Sequence, residues 1–489
     1  MNPVEMIRVD APLGMIAPLL IVCCVGFLIL IADLVLPHAR KHWTAYLAMA
    51  GIAWAFAVTL GQWGQEQRGY ANMVVLDDLS TLFNLLFLAS TFVVILLSEH
   101  FLTSERVEQG EYYALLLFCT SGMMLLASAL DLITLFLGIE VLSISLYILA
   151  GYRRDSDASN EAAMKYFLLG AFASAILLYG IALTYGATGT TNLGKIADTL
   201  INAETAFPAG LLLAGMAMIL IGFAFKVALV PFHMWTPDVY EGAPTPITAF
   251  MSAGPKAAAF AAFLRTFFVA FGPIHGDWNM LLSVIAGLTM TVGNVAAIAQ
   301  TNVKRMLAYS SIAHSGYVLI GLVAGGNAGG TGAVFYLIAY TAMNLGAFAV
   351  VILLEHKGGG GDELRDYAGV GFRYPLIGAA LSLFMISLSG IPPSIGFVGK
   401  LYLFGSAVQT GHIWLAVVAV LNSAISIFYY LRLLVLMYMR EPGEVLPPIR
   451  VPIAIGLALL VTGAITLGVG VFPGQWIEAA RQGVRALFS

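Results

Sequence analysis

The chain has 489 residues, of which 60% are hydrophobic and 10% charged, with a formal net charge of −4 at pH 7. Ordinary globular domains carry about 25% charged residues, so this composition excludes a soluble globular enzyme, a disordered chain and a nucleic-acid-binding protein. The apolar runs are unbroken over about 20 residues, whereas the strands of a transmembrane barrel alternate over about ten. The sequence therefore predicts an all-α polytopic membrane protein.

Fourteen apolar runs are long enough to cross a bilayer as helices, which takes about 20 residues. In chain order they cover 13–36, 43–60, 78–97, 112–129, 131–150, 162–186, 209–236, 246–271, 278–300, 303–325, 331–354, 374–407, 412–438 and 451–472.

Lysine and arginine residues outside these runs are shared unequally between the two sides of the membrane. Twelve lie in the loops of one side and five on the side that carries both termini. The richer side is normally cytoplasmic, which predicts that both termini lie in the periplasm of a bacterium. An even number of spans also requires the termini to share a side.

Parts of the chain repeat at an interval of about 170 residues. Ser145–Gly151 resembles Ser315–Gly321, and Phe263–Arg265 resembles Tyr430–Arg432. These matches predict two related units of five spans each.

Each unit has proline in its fourth span, at Pro231 in the first and at Pro392-Pro393 in the second. Five is an odd number, so the second unit enters the membrane from the opposite side, as in the inverted repeats of secondary transporters. We predict two inverted five-helix repeats (spans 4–8 and 9–13) with broken helices 7 and 12. The predicted segments are an N-terminal three-helix segment at 1–111, the repeats at 112–271 and 278–438, and a last helix with a short tail at 439–489.

Several titratable side chains fall within the predicted spans. A charge at the bilayer centre costs about 2.5–3.5 kcal/mol even on the mildest scale, so these groups are expected to face the protein interior or water. Structural ion pairs are one explanation, but four lysines against one glutamate favour exchangeable proton sites, since a buried lysine loses its proton readily. The candidates are Glu140, Lys165, Lys226, His233, Lys256, His314 and Lys400.

Two of the lysines lie beside the proline breaks. Lys226 is five residues before Pro231, and Lys400 is seven residues after Pro393. A break frees backbone carbonyls that can stabilise a cation or water. His233 lies seven residues after Lys226, about two helical turns, and is expected near the same face, although core packing is an alternative role for it.

Charged residues near span ends are expected to have simpler roles. Lys165, a few residues into span six, can snorkel to the surface, and we expect the same of Arg265 and Arg432. Asp33, near the end of span one, is expected to be structural.

The central groups occur once in each of spans five, seven, eight and twelve, with His314 in span ten. If the two units pack side by side, these groups form a row parallel to the membrane plane. Such a row moves a proton sideways, from a cytoplasmic half-channel to an external one.

The sequence contains no nucleotide-binding loop, no thiolate cluster and no histidine pair with metal spacing, so we expect no cofactor or metal in this chain. The loop at 355–373, with glycines at 358–361, is expected to be a flexible link into a short surface helix.

Four stretches resemble a known family: Phe225–Pro246 (FKVALVPFHMWTPDVYEGAPTP), Ala253–Lys256 (AGPK), Lys304–Tyr317 (KRMLAYSSIAHSGY) and Gly390–Leu403 (GIPPSIGFVGKLYL). They are similar to the proton-translocating antiporter-like subunits of respiratory complex I and of multisubunit cation/proton antiporters. Within this family the chain is most similar to the subunit N group, because span twelve carries a lysine where the subunit M group has a glutamate. The long lateral helix of the subunit L group is not expected.

The resemblance implies a proton-pumping membrane-arm subunit of NADH–quinone oxidoreductase in a bacterial inner membrane. It implies an ion pair between Glu140 and Lys226, a central bridging role for Lys256, a terminal role for Lys400, and a place between the two lysines for His233. Lys165 corresponds to a modulating lysine. FMN, iron–sulfur clusters, NADH and quinone are expected in partner subunits, with subunits M and K and the lateral helix of subunit L as neighbours.

Three other functions stay open at this stage. A cation/proton antiporter subunit of the Mrp type shares the same motifs, as do the membrane subunits of membrane-bound hydrogenases. An inert scaffold that only anchors its partners is the third, and it predicts that Lys226 tolerates alanine.

Overall fold

The computed structural model describes residues 12–37, 40–105, 107, 109–202, 207–355, 361–441 and 449–488. A short antiparallel hairpin, β1 (Gln67–Gly69) and β2 (Val74–Leu76), joins the second and third helices. The helices of the first half are α1 (Ala17–Val35), α2 (Trp43–Leu60), α3 (Asp78–Glu105), α4 (Gly110–Ala127), α5 (Leu132–Ala150), α6 (Asp157–Thr188), α7 (Leu193–Ile201), α8 (Ala209–Lys226), α9 (Trp235–Gly242) and α10 (Thr245–Arg265). Those of the second half are α11 (His275–Ile298), α12 (Val303–Ala324), α13 (Gly326–Leu354), α14 (Val370–Arg373), α15 (Pro375–Ser389), α16 (Ile395–Gln409), α17 (Ile413–Met439), α18 (Ile453–Val471) and α19 (Gly474–Arg485).

All fourteen predicted spans correspond to helices in the part of the chain that the structure describes. Thirteen helices are long and apolar enough to cross a membrane. The remaining span, span twelve, consists of the two shorter helices α15 and α16. The prediction of an all-α polytopic membrane protein with broken helices is confirmed.

The two breaks lie where the prolines predict them. Helix α8 ends at Lys226 and α9 begins at Trp235, so span seven is interrupted for eight residues rather than running continuously to 236. Helix α15 ends at Ser389, and Gly390 follows it with a left-handed φ of 84°. Proline cannot donate a backbone hydrogen bond, so neither helix continues through these segments.

The two units use the same helix contacts. A Cβ on Gly122 of α4 would lie 2.7 Å from the backbone nitrogen of Leu142 in α5, and a Cβ on Gly293 of α11 would lie 2.7 Å from that of Ala313 in α12. Only glycine permits so close an approach of two backbones. Each residue of the first pair is 171 positions before its counterpart in the second.

Backbone hydrogen bonds at the starts of α5 and α12 repeat at the same interval. Leu132 N donates to Thr191 O at 2.9 Å, and Val303 N donates to Asp362 O at 2.7 Å. The true interval in this region is therefore 171, and the sequence match of Ser145–Gly151 with Ser315–Gly321 is one residue out of register. Since each unit has five spans, the second unit is inverted relative to the first.

The centre of the bundle is formed by α10, α12 and α13. All 21 residues of α10 are buried, and this helix contacts α3, α4 and α5 on one side and α12 and α13 on the other. In contrast, only 28% of the apolar window of α1 and of α18 is buried inside the protein. Lys256 and Arg265 both belong to this fully buried helix.

Arg265 is not a snorkelling residue, and this expectation was wrong. Its guanidinium is 2% exposed and binds Asp77 with two hydrogen bonds, Nη1–Oδ2 at 2.7 Å and Nη2–Oδ1 at 2.9 Å, while Nε donates to Ala127 O at 3.2 Å. Burial works to raise the pKa of Asp77, but the charge and hydrogen bonds of Arg265, together with hydrogen bonds from Ser80, outweigh it and hold that pKa below its usual value. The pair fastens the hairpin and α3 to α10.

Arg432 also does not snorkel. It is half-buried and donates to the carbonyls of Ile298, at 3.0 Å, and Gln300, at the end of α11. Asp33 is structural, as expected: it binds Lys41 Nζ at 3.1 Å and accepts a hydrogen bond from Gly110 N at 2.8 Å.

Some expectations fall on residues outside the described ranges. These are the charges at Arg8, Arg106 and Lys357 used in the orientation count, and the glycines at 358–360 of the expected flexible link. The short surface helix after them is present as a 3₁₀ turn at Leu364–Tyr367.

We expect Asp77→Asn to destabilise the protein by about 3–5 kcal/mol, because it leaves the guanidinium of Arg265 buried without a counter-charge. Thermal unfolding in detergent at pH 7 measures the change. Asp78→Asn is the matched control, because Asp78 makes only an exposed hydrogen bond to Gly64 N, which an amide oxygen also accepts. Equal stabilities of the two variants would contradict the proposed role of the pair. Because the pKa of Asp77 is lowered, the contribution of the pair is complete above about pH 4 and is lost as the pH falls further.

Candidate functional site

Lys226 forms the C-terminal end of α8, directly before the first break. The side chain is buried, and Nζ donates to Ser143 Oγ at 2.6 Å and to Tyr147 OH at 3.5 Å, both on α5. Nζ also lies 5.5 Å from the ring centroid of Tyr147 and 5.8 Å from that of Tyr166. Hydroxyl oxygens and aromatic faces surround the amine, and both stabilise a cation.

Glu140 lies one turn before Ser143 on α5, half-buried, and accepts a hydrogen bond from Ser174 Oγ of α6. No ion pair within 4.0 Å joins it to Lys226 in the described part of the chain. The two side chains therefore make no direct contact in this structure, and their pairing stays a prediction. Glu140 lies close to the contact between Lys226 and Ser143, because it is three residues before Ser143 on α5 and residues three apart are neighbours on a helix.

Trp235, at the start of α9, organises the break, and it was not among the residues predicted from the sequence. Its indole Nε1 donates to the carbonyl of Phe225 at 3.0 Å, one residue before Lys226. The indole also stacks on Tyr166, with ring centroids 4.5 Å apart and an interplanar angle of 11°. The carbonyl of Phe225, which also accepts from Ala228 N at 3.1 Å, thus has a second donor, and the ring of Tyr166 beside Lys226 is held in place.

His233 does not share a helical face with Lys226, because the helix ends between them. The imidazole is half-buried, and its Nδ1 is a buried atom without a hydrogen-bond partner. It does not line the cavity that separates Lys226 from Lys256. The prediction that it stands between the two lysines therefore receives no support from the geometry.

A cavity of about 10 Å³ lies between Lys226 and Lys256, and Tyr166, Trp235 and Pro255 are among the residues that line it. This is close to the smallest volume that holds one water molecule. The two amines are therefore separated by a space in which a single water can bridge polar groups.

Lys256 lies in the middle of α10 and is 4% exposed. Nζ donates to the carbonyl of Ser311 at 2.9 Å and also binds the Ser311 hydroxyl. Ser311 belongs to α12, so this contact connects an amine of the first unit to a helix of the second.

His314 follows Ser311 by one turn of α12. Its Nδ1 bonds to Tyr336 OH at 2.6 Å and its Nε2 to Tyr430 OH at 3.0 Å. Tyr430 OH also bonds to Ser310 Oγ. Both ring nitrogens are therefore held by hydroxyl groups, which can accept and donate hydrogen bonds alike.

Lys400 lies in α16, directly across the second break. Nζ donates to the carbonyls of Leu388 and Ser389 at 3.0 and 2.9 Å and to Ser423 Oγ at 2.9 Å. It also lies 5.1 Å from the ring centroid of Tyr317. The expectation that a helix break provides free carbonyls beside a lysine is confirmed here, because Leu388 and Ser389 end α15.

Lys165 lies apart from this buried series. Its side chain is 40% exposed and forms ion pairs with Glu161 at 2.7 Å and Asp238 at 2.6 Å. Asp238 also binds Arg305 at 2.7 Å, so a surface network joins α6, α9 and α12. Asp238 and Arg305 were missed, although Asp238 belongs to the WTPDVYEG stretch quoted above.

The buried amines have only neutral partners. Within the described ranges, no carboxylate lies within 4.0 Å of Lys226, Lys256 or Lys400. Each amine binds at least one hydroxyl, Lys256 and Lys400 also bind backbone carbonyls, and aromatic rings lie beside Lys226 and Lys400. The same ranges contain no cluster of three or more histidine, cysteine or acidic residues placed to hold a metal ion. The arrangement is suited to groups that gain and lose protons.

Residues 129–426 match the family described as NADH:quinone oxidoreductase/Mrp antiporter, TM. The chain belongs to this family of antiporter-like membrane subunits. Among curated relatives, NADH-quinone oxidoreductase subunit N of Trichlorobacter lovleyi is 49% identical over 475 residues, which is 97% of each chain. The protein of the same description from Chloroflexus aggregans is 47% identical over 460 residues, 93% of this chain and 94% of the relative.

Solved structures agree with this assignment. A chain of respiratory complex I from Thermus thermophilus with bound aureothin is 36% identical, with a TM-score of 0.81, and the match covers 95% of this chain and 100% of that chain. A chain of the Mrp complex from a Dietzia species has a TM-score of 0.86 with 98% of both chains covered, but at 23% identity it shows the fold alone.

We expect Trp235→Phe to lower the free energy of unfolding by about 0.5–1.5 kcal/mol, because it removes one of the two hydrogen bonds that the carbonyl of Phe225 accepts and leaves only the one from Ala228 N at 3.1 Å. Thermal unfolding of the purified protein measures the loss. Trp54→Phe is the control, since Trp54 is 60% exposed. If both variants unfold at the wild-type temperature, the indole hydrogen bond does not stabilise the break.

Proposed function

We propose that this chain is a proton-translocating membrane-arm subunit of a bacterial NADH–quinone oxidoreductase. The observation that carries the proposal is the buried series of titratable and hydroxyl groups that runs from Glu140 through Lys226, Lys256 and His314 to Lys400. It crosses both inverted units. The names of relatives that share 41–49% of its residues support the same function.

The proposed path runs sideways within the membrane. A protonated Lys226 passes its proton across the small cavity to a neutral Lys256, which becomes the ammonium. Lys256 then passes it along α12, by way of Ser311 and His314, toward Lys400. Lys400 releases it to the outside and becomes neutral again. Lys226 takes up a new proton from the cytoplasmic side, so each amine returns to its starting state. One proton crosses per cycle, and no bond other than an N–H or O–H bond is made or broken.

Glu140 acts on this path as a fixed negative charge beside its first member. It is held by Ser174 and lies one turn from the hydroxyl that binds Lys226. A carboxylate near a lysine but not in contact with it favours the protonated form of the lysine without forming a direct ion pair. Lys165, with its exposed ion pairs, tunes the charge near the cytoplasmic entrance instead of carrying the proton.

The driving reaction belongs to other chains. In this proposal FMN, iron–sulfur clusters, NADH and quinone are bound by partner subunits, and this chain carries out no redox chemistry. Its neighbours are subunits of the M and K groups and the lateral helix of an L-group subunit. The side richer in lysine and arginine faces the cytoplasm, so both termini lie in the periplasm.

Isolation of the chain with its partners tests the function as a whole. We expect an affinity-tagged chain, extracted in mild detergent, to carry flavin and iron–sulfur clusters with it and to show NADH:quinone activity. An Mrp-type antiporter subunit would instead co-purify without redox groups and support sodium-dependent proton exchange. A subunit of a membrane-bound hydrogenase would co-purify with a partner that evolves hydrogen.

Lys226→Ala is expected to lower NADH-driven proton uptake on the order of 100-fold, the range typical for loss of a proton-transferring group. The assay uses inverted membrane vesicles with quinone as acceptor, normalised to the assembled complex on native gels. Lys195→Ala is the control, because Lys195 is exposed on α7. Normal uptake by the Lys226 variant would favour the inert scaffold and refute the relay.

The effect of a Lys400 substitution on proton uptake is expected to depend on whether the new side chain can gain and lose a proton. Lys400→Met and Lys400→Arg should both lose most proton uptake, the first because it has no proton to give and the second because a guanidinium stays protonated at any working pH. Lys400→Glu should retain part of the uptake, since a carboxyl group can exchange a proton. The same vesicle assay measures the three variants, with Lys195→Arg as the control. An arginine variant that pumps at the wild-type rate would show that Lys400 supplies only a fixed charge.

A further inference from the structure

A tyrosine hydroxyl lies beside the amine of Lys226 and has no role in the proton path described above. Tyr147 OH is 3.5 Å from Lys226 Nζ, and Tyr147 follows Ser143 by one turn of α5. We propose that this hydroxyl delivers the proton that recharges Lys226, and that Gly170 of α6 provides the space in which the hydroxyl lies. The inference rests on the proposed function, because it concerns how the first amine of that path is supplied with protons.

The two hydroxyls that contact Lys226 differ in where their own hydrogen goes. Ser143 accepts from Nζ at 2.6 Å and donates to the carbonyl of Ile139 in its own helix. A carbonyl only accepts hydrogen bonds, so this arrangement can hold the amine but cannot supply it with a proton. Within the described ranges, no hydrogen bond commits the hydroxyl hydrogen of Tyr147 to a backbone carbonyl. Tyr147 can therefore give this hydrogen to a neutral amine and take another.

Tyr147 lies closer to one membrane surface than the contact between Lys226 and Ser143 does. Helix α5 ends at Ala150, about one turn after Tyr147, and the loop that follows carries Arg153. Long side chains of a helix point back toward its N-terminus, which places the hydroxyl at the amine and the ring nearer to the helix end. A proton that enters along the end of α5 therefore reaches the tyrosine before the amine.

Two aromatic rings and a glycine of α6 fix the position of the Tyr147 ring. Tyr166 and Phe167 pack edge-on against it, with ring centroids 4.8 and 5.7 Å away and interplanar angles of 88° and 74°. A Cβ on Gly170 would overlap the Tyr147 hydroxyl oxygen and lie 2.7 Å from Cζ. Glycine in the interior of a helix is unfavourable, so its presence here needs a reason. The reason is that any side chain at this position would displace the hydroxyl.

The step is a relay in which Tyr147 ends as it began. After Lys226 has given its proton to Lys256, the neutral amine takes the hydroxyl hydrogen of Tyr147. The phenol oxygen takes a proton from a hydronium ion on the side of the membrane that carries Arg153. One N–H and one O–H bond form, one O–H bond of Tyr147 and one of the hydronium ion break, and a water molecule is left.

The first test measures NADH-driven proton uptake in inverted vesicles that contain the whole complex, normalised to complex levels on native gels. Tyr147→Phe removes one oxygen atom and keeps the ring. We expect uptake to fall about 10- to 100-fold, because a proton-transferring group contributes on the order of 100-fold and a water molecule can replace part of its role. Tyr179→Phe is the control, since Tyr179 of α6 is 57% exposed.

Two outcomes of this assay separate the inference from the function on which it rests. Wild-type uptake by Tyr147→Phe, with uptake lost in Lys226→Ala, would overturn the role of the hydroxyl and leave the proposed function intact. Wild-type uptake by Lys226→Ala would overturn the proposed function itself.

The second test concerns Gly170. Gly170→Ala places a methyl group where the hydroxyl oxygen lies and should lower uptake as much as Tyr147→Phe does. Gly186→Ala is the matched control on α6, because a Cβ there would have Leu211 as its nearest neighbour at 3.6 Å, an ordinary contact. Wild-type uptake by Gly170→Ala would overturn the proposed role of this glycine.

Two double variants distinguish placement of a hydroxyl from packing of α6 against α5. Tyr147→Phe leaves the space of the lost oxygen free. Adding Gly170→Ser returns a hydroxyl to that space and should restore part of the uptake, whereas adding Gly170→Ala should restore none. Equal uptake by the two double variants would show that position 170 acts through packing alone and would overturn its role. If Gly170→Ala alone fails to assemble, Tyr147→Phe and its combination with Gly170→Ser decide the question.

Discussion

The structure depends on one constraint, which is that backbone polar groups at membrane depth must find partners within the protein. Breaking a spanning helix leaves carbonyls without their usual donors, and this chain breaks two. In one break Ala228 N and the indole of Trp235 both donate to the carbonyl of Phe225. In the other, Lys400 donates to the carbonyls of Leu388 and Ser389. A buried amine is unfavourable at membrane depth, and so is a carbonyl without a donor. The same break that exposes carbonyls provides the hydrogen-bond acceptors that a buried lysine needs.

The inverted units are equivalent in backbone but not in chemistry. At the interval of 171 residues, Glu140 corresponds to Ser311 and Ser143 corresponds to His314. In the first unit a carboxylate and a hydroxyl lie beside Lys226, whereas in the second a hydroxyl binds Lys256 and an imidazole is held by Tyr336 and Tyr430. A negative charge is therefore present at one end of the series only. In the proton path that we propose, this asymmetry distinguishes the two ends, which two identical units could not do.

Much of this arrangement could be predicted because its signals are local in the chain. Apolar runs and prolines identify the spans and breaks, and a lysine in an apolar run is conspicuous because of its cost in a bilayer. Hydroxyl groups give no such signal, since serine and threonine bond to their own helix backbone at little cost, and Ser143, Ser311 and Tyr336 were missed. The partner of Arg265 is 188 residues away, which no local pattern reveals. The predicted position of His233 was wrong because it assumed continuous helical spacing across a helix break.

The pair of Asp77 and Arg265 also bears on how the protein is made. A chain is synthesised from its N-terminus at about 5–20 residues per second, so residues separated by 188 positions appear roughly 10–40 s apart. Asp77 reaches the membrane surface first and can remain hydrated there, whereas Arg265 arrives at the end of a helix that is buried on all sides. The counter-charge of Arg265 is therefore already synthesised when the arginine appears, so the guanidinium can be paired as soon as α10 packs against the hairpin and α3.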